Sequence, residues 1–246
     1  MTKLSVNLNK VALLRNQRDI GYPSVIKAAR IVLSAGAHGV TVHPRPDERH
    51  IRKNDVFDIA SLLKSEFAPE TEFNIEGNPT PEFLDLVAEV KPHQATLVPD
   101  APEAVTSDEG WDVAARAEFL QPIIASLKDQ GIRTALFLNA DPDMIPHAAA
   151  VGADRVELYT GPYAFGYGGP DQSALLKQYR ATAEAAKDAG LGVNAGHDLN
   201  LDNLSNFLRA APSTAEVSIG HALTADALWM GFAQAVRTYL RLIGEA

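Results

Sequence analysis

Gly39-Val40-Thr41-Val42-His43-Pro44-Arg45-Pro46-Asp47-Glu48-Arg49-His50 is the stretch on which the reading of this chain turns. It begins as a short apolar strand and becomes polar at once. Two prolines end the strand, because proline has no N–H to give to a ladder. Two imidazoles and two guanidiniums then follow within a few residues. Imidazole moves protons near neutral pH, and the guanidinium fork matches phosphate and carboxylate. Their place just past the C-terminal end of a strand points to proton-transfer chemistry on an anionic substrate.

Outward from this stretch the pattern alternates strand and helix to both ends. Strands are expected at Leu4–Leu8, Gly39–Val42, Glu72–Glu76, Gln94–Val98, Arg133–Leu138, Arg155–Tyr159, Leu191–Asn194 and Ala215–Ile219. Helical spacing of apolar residues marks Pro23–Ser34, Asp55–Phe67, a helix opened by Thr80-Pro81, Val113–Gln130 with a kink at Pro122, one capped by Asp141-Pro142, Asp171–Ala189, Leu201–Ala211 and Ala225–Ile243. Gly36, Gly131, Gly152 and Gly190 each stand between a helix and the next strand, as left-handed helix stops do. Eight strands, each followed by a helix, predict an α/β fold, a (β/α)8 TIM barrel formed as one domain over residues 1–246. A doubly wound open sheet is the competing topology, but no Gly-x-Gly-x-x-Gly follows the first strand. Pro99–Asp112 and Gly161–Pro170 read as long loops, the former a candidate lid.

With 46% hydrophobic residues the chain can fill a core, and it has no cysteine for a disulfide, a thiolate ligand or a nucleophile. No apolar run approaches membrane length and the N-terminus lacks a signal-peptide core, so a cytoplasmic protein is expected. A net charge of −9 argues against nucleic-acid binding. The charge is nevertheless uneven. Residues 1–53 hold ten Lys/Arg against three Asp/Glu, which suggests a local anion site.

Barrel enzymes work at the C-terminal ends of their strands. Those ends carry Asn7 and Asn9, His43 and Arg45, Glu76, Thr106 beyond strand four, Glu157, His197 and His221. Asn139 and Asp141 read instead as a turn residue and a helix cap. Asn194-Ala195-Gly196-His197 and Ile219-Gly220-His221 follow strands seven and eight, where barrels often hold phosphate on backbone N–H groups. His43, Glu76, Glu157 and His197 are ligand types for zinc or manganese. No His-x-His follows the first strand and no aspartate cluster accompanies them, so a metal-free site is expected. No lysine lies late in a strand to form a Schiff base.

The ordered motifs Val6-Asn7-Leu8-Asn9, Leu14-Arg15-Asn16 with Arg18, Gly39–Arg45 with Arg49-His50-Ile51, Asn74-Ile75-Glu76, Lys91-Pro92-His93, Leu97-Val98-Pro99, Val105-Thr106, Glu157–Gly161, Val193–His197 and Ile219–Ala222 resemble the pyridoxine 5′-phosphate synthase family. The resemblance implies a transferase-type condensation of 1-deoxy-D-xylulose 5-phosphate with 3-amino-2-oxopropyl phosphate. The products are pyridoxine 5′-phosphate, phosphate and water. It implies no cofactor, and a homo-octamer built as a tetramer of dimers. By the same resemblance His43 and Glu76 are proton acceptors, His197 is the proton donor and Glu157 stabilises the transition state. Arg45, His50 and Thr106 would contact the sugar phosphate, and Asn7, Arg18, Gly220 and His221 the amino-ketone phosphate. The chain departs from the usual pattern at Asn9-Lys10, where Asp-His is common, and at Asp198, where glycine is usual. All three are kept as substrate-contact candidates. The competing readings are another sugar-phosphate isomerase or aldolase, metal-dependent, and a non-catalytic phospho-sugar binder.

Overall fold

The computed structural model describes residues 1–18, 20–100 and 107–246. The strands β1 (Lys3–Asn7), β2 (Gly39–Val42), β3 (Glu72–Gly77), β4 (Gln94–Leu97), β5 (Arg133–Leu138), β6 (Arg155–Tyr159), β7 (Gly192–Gly196) and β8 (Thr214–Ile219) form a closed barrel in chain order. Every pairing is parallel, and β8 returns to β1 with Lys3 beside Glu216 and Val6 beside Ile219. That closure makes the fold a (β/α)8 barrel rather than an open sheet. The helices are α1 (Asn9–Asn16), α2 (Val25–Ser34), α3 (Lys53–Glu66), α4 (Pro81–Val90), α5 (Val113–Asp129), α6 (Ile145–Ala150), α7 (Gly161–Gly166), α8 (Gln172–Asp188), α9 (Leu204–Ala210), α10 (His221–Met230) and α11 (Phe232–Glu245). None of the described helices is long and apolar enough to cross a membrane.

Local chemistry accounts for the ends. The Ser24 and Thr80 side chains accept from Lys27 N and Phe83 N and so cap α2 and α4. The four helix-stop glycines all have positive φ. One element was missed and two expectations need correction. The segment after β1 is helical, and its apolar stripe is hidden in the sequence because the buried position Arg15 reads as polar. The loop at Gly161–Pro170 contains α7. The closing helix is two helices, because Gly231 sits at φ 79° and ψ 148°, outside helical space.

Strand side chains alternate between the two faces of the sheet. The outward set, including Val6, Val42, Ile75, Leu97, Leu136, Val156, Val193 and Val217, packs as the core between barrel and helices. The inward set is mostly polar, with Ala135 and Phe137 of β5 as apolar members. Ser5, Thr41, Glu72, Asn74, Glu76, Gln94, Thr96, Glu157, Asn194, Glu216 and Ser218 are all buried. Most (β/α)8 barrels fill this space with branched apolar residues. Here the hydrophobic drive comes from the outer layer, and the barrel axis is left to hydrogen bonds and charges.

Candidate active site

The strand C-terminal ends bring together the groups that the sequence singled out. His43 follows β2, and Glu76 is the fifth residue of β3. His43 Nδ1 lies 3.9 Å from Glu76 Oε2, and both side chains are about nine-tenths buried. Asn7 Nδ2 donates to the same Glu76 oxygen at 3.5 Å. Asn9 joins this group through its backbone and its amide. Its N–H donates to Asn7 Oδ1, and its Oδ1 accepts from His43 N, both at 2.9 Å. Asparagine can fill this role as an uncharged acceptor, so the departure at Asn9 keeps His43 anchored.

Glu157 points inward from β6, as its flanking apolar neighbours predict, and is 2% exposed. The His197 ring packs between Phe137 and Tyr159, with centroids 5.4 and 5.5 Å away. His197 and Asp198 both have positive φ, at 76° and 60°. Asn203 Nδ2 donates to the Asp198 carbonyl at 3.1 Å and helps hold this uncommon backbone. Gly220 opens α10 directly against Asn7. A Cβ there would lie 3.0 Å from Asn7 Cβ and 3.1 Å from Oδ1, so a side chain would displace the amide that reaches Glu76. His221 is exposed at the first position of α10, and Arg18 is exposed just past α1. Neither lies in the buried cluster. Thr106 lies outside the described residues.

The missed helix α1 positions the opening stretch of the analysis. Arg15 forms a buried ion pair with Asp55, and its Nη2 donates to the His50 carbonyl at 3.0 Å. Asn16 Nδ2 donates to the carbonyls of Arg49 and His50 at 3.0 and 2.8 Å. His50 Nδ1 accepts from Ile51 N at 2.8 Å, which leaves the proton of the neutral ring on Nε2. Arg45, the candidate anion grip, is buried with its Nη2 2.5 Å from Asp100 Oδ2. Ser107 Oγ donates to that same oxygen at 2.5 Å, and Asn78 Nδ2 donates to the Asp100 carbonyl at 2.7 Å. Asp100 was not foreseen. The only signal was a carboxylate two residues past a strand end, and its partner depends on how strands two and four face each other.

The electrostatics of this cluster favour uncharged forms. Burial holds His43 well below the usual imidazole range, and the Arg45, His50 and His197 charges add to the effect. His50 is lowered to about 4 by burial, then by Arg45, Lys10 and Arg49. His197 is lowered by burial, with Asp198 and Asp100 acting in the opposite direction. Burial raises Glu76 well above the carboxylate range, with Glu157 and Asp100 next in effect. Burial raises Glu157 to about 7, against the hydrogen bond from Thr96. Lys10 acts on both His50 and His197, so it faces the same space. Among the described residues, no three His, Asp or Glu side chains come together as a metal-holding group.

A closed barrel with imidazoles kept neutral, carboxyls kept protonated and arginine at the rim defines the class: an acid–base enzyme for anionic small molecules. The sequence profile of the family described as pyridoxal phosphate biosynthesis protein PdxJ matches residues 4–245, and the chain belongs to that family. A pyridoxine 5′-phosphate synthase of Albidiferax ferrireducens is 55% identical over 249 residues, covering 99% of this chain and 98% of that one. One of Bacteroides thetaiotaomicron is 53% identical over 239 residues, covering 97% and 98%. Among solved structures, phosphoribosyl anthranilate isomerase from Thermotoga maritima superposes over the full length of both chains with a TM-score of 0.62 at 12% identity. That likeness is one of fold.

Proposed function

We propose that this barrel acts as a pyridoxine 5′-phosphate synthase, joining 1-deoxy-D-xylulose 5-phosphate to 3-amino-2-oxopropyl phosphate with release of phosphate and water. Family membership over nearly the whole chain carries the reading, and full-length relatives more than half identical bear that name. The site's chemistry agrees with it. Imine formation, enolisation, phosphate loss and ring closure each move protons, and each needs an acid or a base in one pocket.

In this reading His43 is the acceptor, because burial keeps it neutral. Glu76 rests protonated. It would give its proton to a departing oxygen first and act as acceptor afterwards. Burial holds His197 below the usual imidazole range. Two incoming phosphate groups bring negative charge, which favours the imidazolium and prepares His197 to donate. Glu157 stabilises charge developing on the ring-closing intermediate. His50, with its proton on Nε2, donates to the sugar phosphate, which Arg45 and Thr106 also bind. Asn7, Arg18, Gly220 and His221 serve the amino-ketone phosphate, with Lys10 and Asp198 lining the same space. The active unit is one barrel domain in a cytoplasmic homo-octamer, and the reaction needs no cofactor.

The test is a coupled assay on EDTA-treated protein supplied with both phosphorylated substrates. Equal amounts of pyridoxine 5′-phosphate and inorganic phosphate are expected. Binding of the sugar phosphate without either product would overturn the catalytic reading and favour the phospho-sugar binder.

A further inference from the structure

Beneath Glu157 a chain of hydrogen bonds crosses the barrel axis, and its polarity can be worked out from donor counts. Arg133 can only donate, and its Nε lies 2.9 Å from Gln94 Oε1. The Gln94 amide must therefore present its Nε2 to Thr96, and it does so at 3.3 Å from Thr96 Oγ1. With that lone pair used, Thr96 has one proton left to give. Two acceptors compete for it. Asn74 Oδ1 is 3.0 Å away and Glu157 Oε2 is 3.4 Å away. Asn74 is itself oriented by its Nδ2, which donates to Thr41 Oγ1 at 3.4 Å, and Thr41 is 2.7 Å from Ser5 Oγ. Thr96, Asn74 and Thr41 are fully buried, so their hydrogen bonds are made inside the barrel.

One proton cannot serve two acceptors. When Thr96 donates to Asn74, Glu157 Oε2 is satisfied only if Glu157 carries a proton and donates it to Thr96 Oγ1. When Glu157 is ionised, the Thr96 hydroxyl must turn to it and leave Asn74 Oδ1 without that donor. We propose that Thr96 is a positioning residue for Glu157, a hydroxyl whose single proton switches between Asn74 and Glu157 and thereby sets how readily Glu157 changes charge. Asn74 is the competing acceptor that holds the balance, and Arg133 and Gln94 fix the direction of the chain from the far end of the barrel. The raised ionisation of Glu157, near 7, agrees with a carboxyl whose only described donor is shared. This inference rests on Glu157 having the catalytic place given to it above.

The experiment follows the protonated carboxyl band of Glu157 by infrared titration, the band being identified by its loss in Glu157→Gln. Thr96→Val removes the donor and should move the titration up by about one pH unit, tenfold in the ionised fraction. Thr96→Ser keeps the hydroxyl and should restore it. Asn74→Ala removes the competitor and should move the titration down. General damage to the barrel would not shift two variants in opposite directions. The matching limb of the pH profile of kcat should follow the infrared shift, with KM for either substrate little changed. No shift in Thr96→Val, or shifts of the same sign in Thr96→Val and Asn74→Ala, would overturn the proposal. If Thr96→Val does not fold, Asn74→Ala and Thr96→Ser still decide it: a downward shift in the first with none in the second supports it, and anything else overturns it. Unimpaired turnover in Glu157→Gln would instead remove Glu157 from catalysis, while the infrared shifts would still judge Thr96.

Discussion

Glu72 and Glu76 stand on one strand, four residues apart, and both point into the barrel. Glu72 is held below the usual carboxylate range because Arg133 pairs with it and offsets the cost of its burial. Glu76 is raised well above that range because burial and the neighbouring acids Glu157 and Asp100 outweigh the pull of Arg45. In the lower layer of the barrel the matched pair is Glu72 with Arg133; Arg155 approaches Glu216 only to 3.8 Å, and burial and the neighbouring Glu72 hold Glu216 well above the carboxylate range. The upper layer turns its arginine, Arg45, to Asp100 and leaves its glutamates without a contacting cation. Glu72, paired with Arg133, has the environment of a structural carboxylate. A buried carboxyl at the strand C-terminal ends with no contacting cation has the environment expected of a proton-transfer group.

The sharpest test of that contrast is Glu76→Gln. It should cut kcat about a thousandfold, within the usual worth of a positioned acid–base group, while calorimetry shows the sugar phosphate still binding. Near-normal turnover would take Glu76 out of proton transfer. The opposite profile is expected in the lower layer. Arg133→Leu leaves Glu72 buried without its partner and should cost about 3 kcal/mol of stability by urea unfolding, while kcat falls far less than in Glu76→Gln, by no more than about tenfold through the freed Gln94 amide. A large loss of kcat in a well-folded Arg133→Leu protein would erase the division between the layers.

A third prediction uses pH. The Glu157 carboxyl ionises near 7 in the folded protein, against an ordinary value of 4.5. Below about pH 4.5 it is protonated in folded and unfolded chains alike. As the pH rises towards about 7 the unfolded chain releases this proton and the folded one keeps it, so stability falls, and the loss is complete above about 7. Glu157→Gln removes that penalty. It should therefore stabilise the fold by about 3 kcal/mol at pH 8 and by almost nothing at pH 4.5. An equal gain at both pH values would mean that Glu157 is not the source.

Much of this arrangement is legible in the sequence, for a physical reason. Strand side chains alternate, so a polar residue between apolar neighbours, such as Glu157 between Val156 and Leu158, announces which way it points. The parallel fold then gathers all the strand ends at one rim, and His43, Glu76 and His197 fall there. What could not be read depends on pairing across the barrel. Arg15 looks like a surface residue until Asp55, forty positions later, neutralises it and lets α1 bury. Thr96 looks like any strand threonine until the register brings Asn74 and Glu157 beside it. The break at Gly231 was hidden because a lone glycine costs a helix only about 1 kcal/mol and apolar spacing continues on both sides.

The smallest effect is expected where the two kinds of pairing meet, at Arg45 and Asp100. Arg45→Ala should weaken binding of the sugar phosphate, since a charged hydrogen-bonding group is lost. Asp100→Asn is the finer probe. The Asp100 carboxylate holds the guanidinium at 2.5 Å, so an incoming phosphate competes with it and also meets its negative charge. Neutralising Asp100 removes both obstacles. The dissociation constant for the sugar phosphate should then fall several-fold, about 1 kcal/mol, and the gain should shrink as salt screens the charge. Weaker binding in Asp100→Asn would show the reverse: that Asp100 and Ser107 hold Arg45 in the orientation it needs, and that this upper-layer pair, like Glu72 and Arg133 below, is structural.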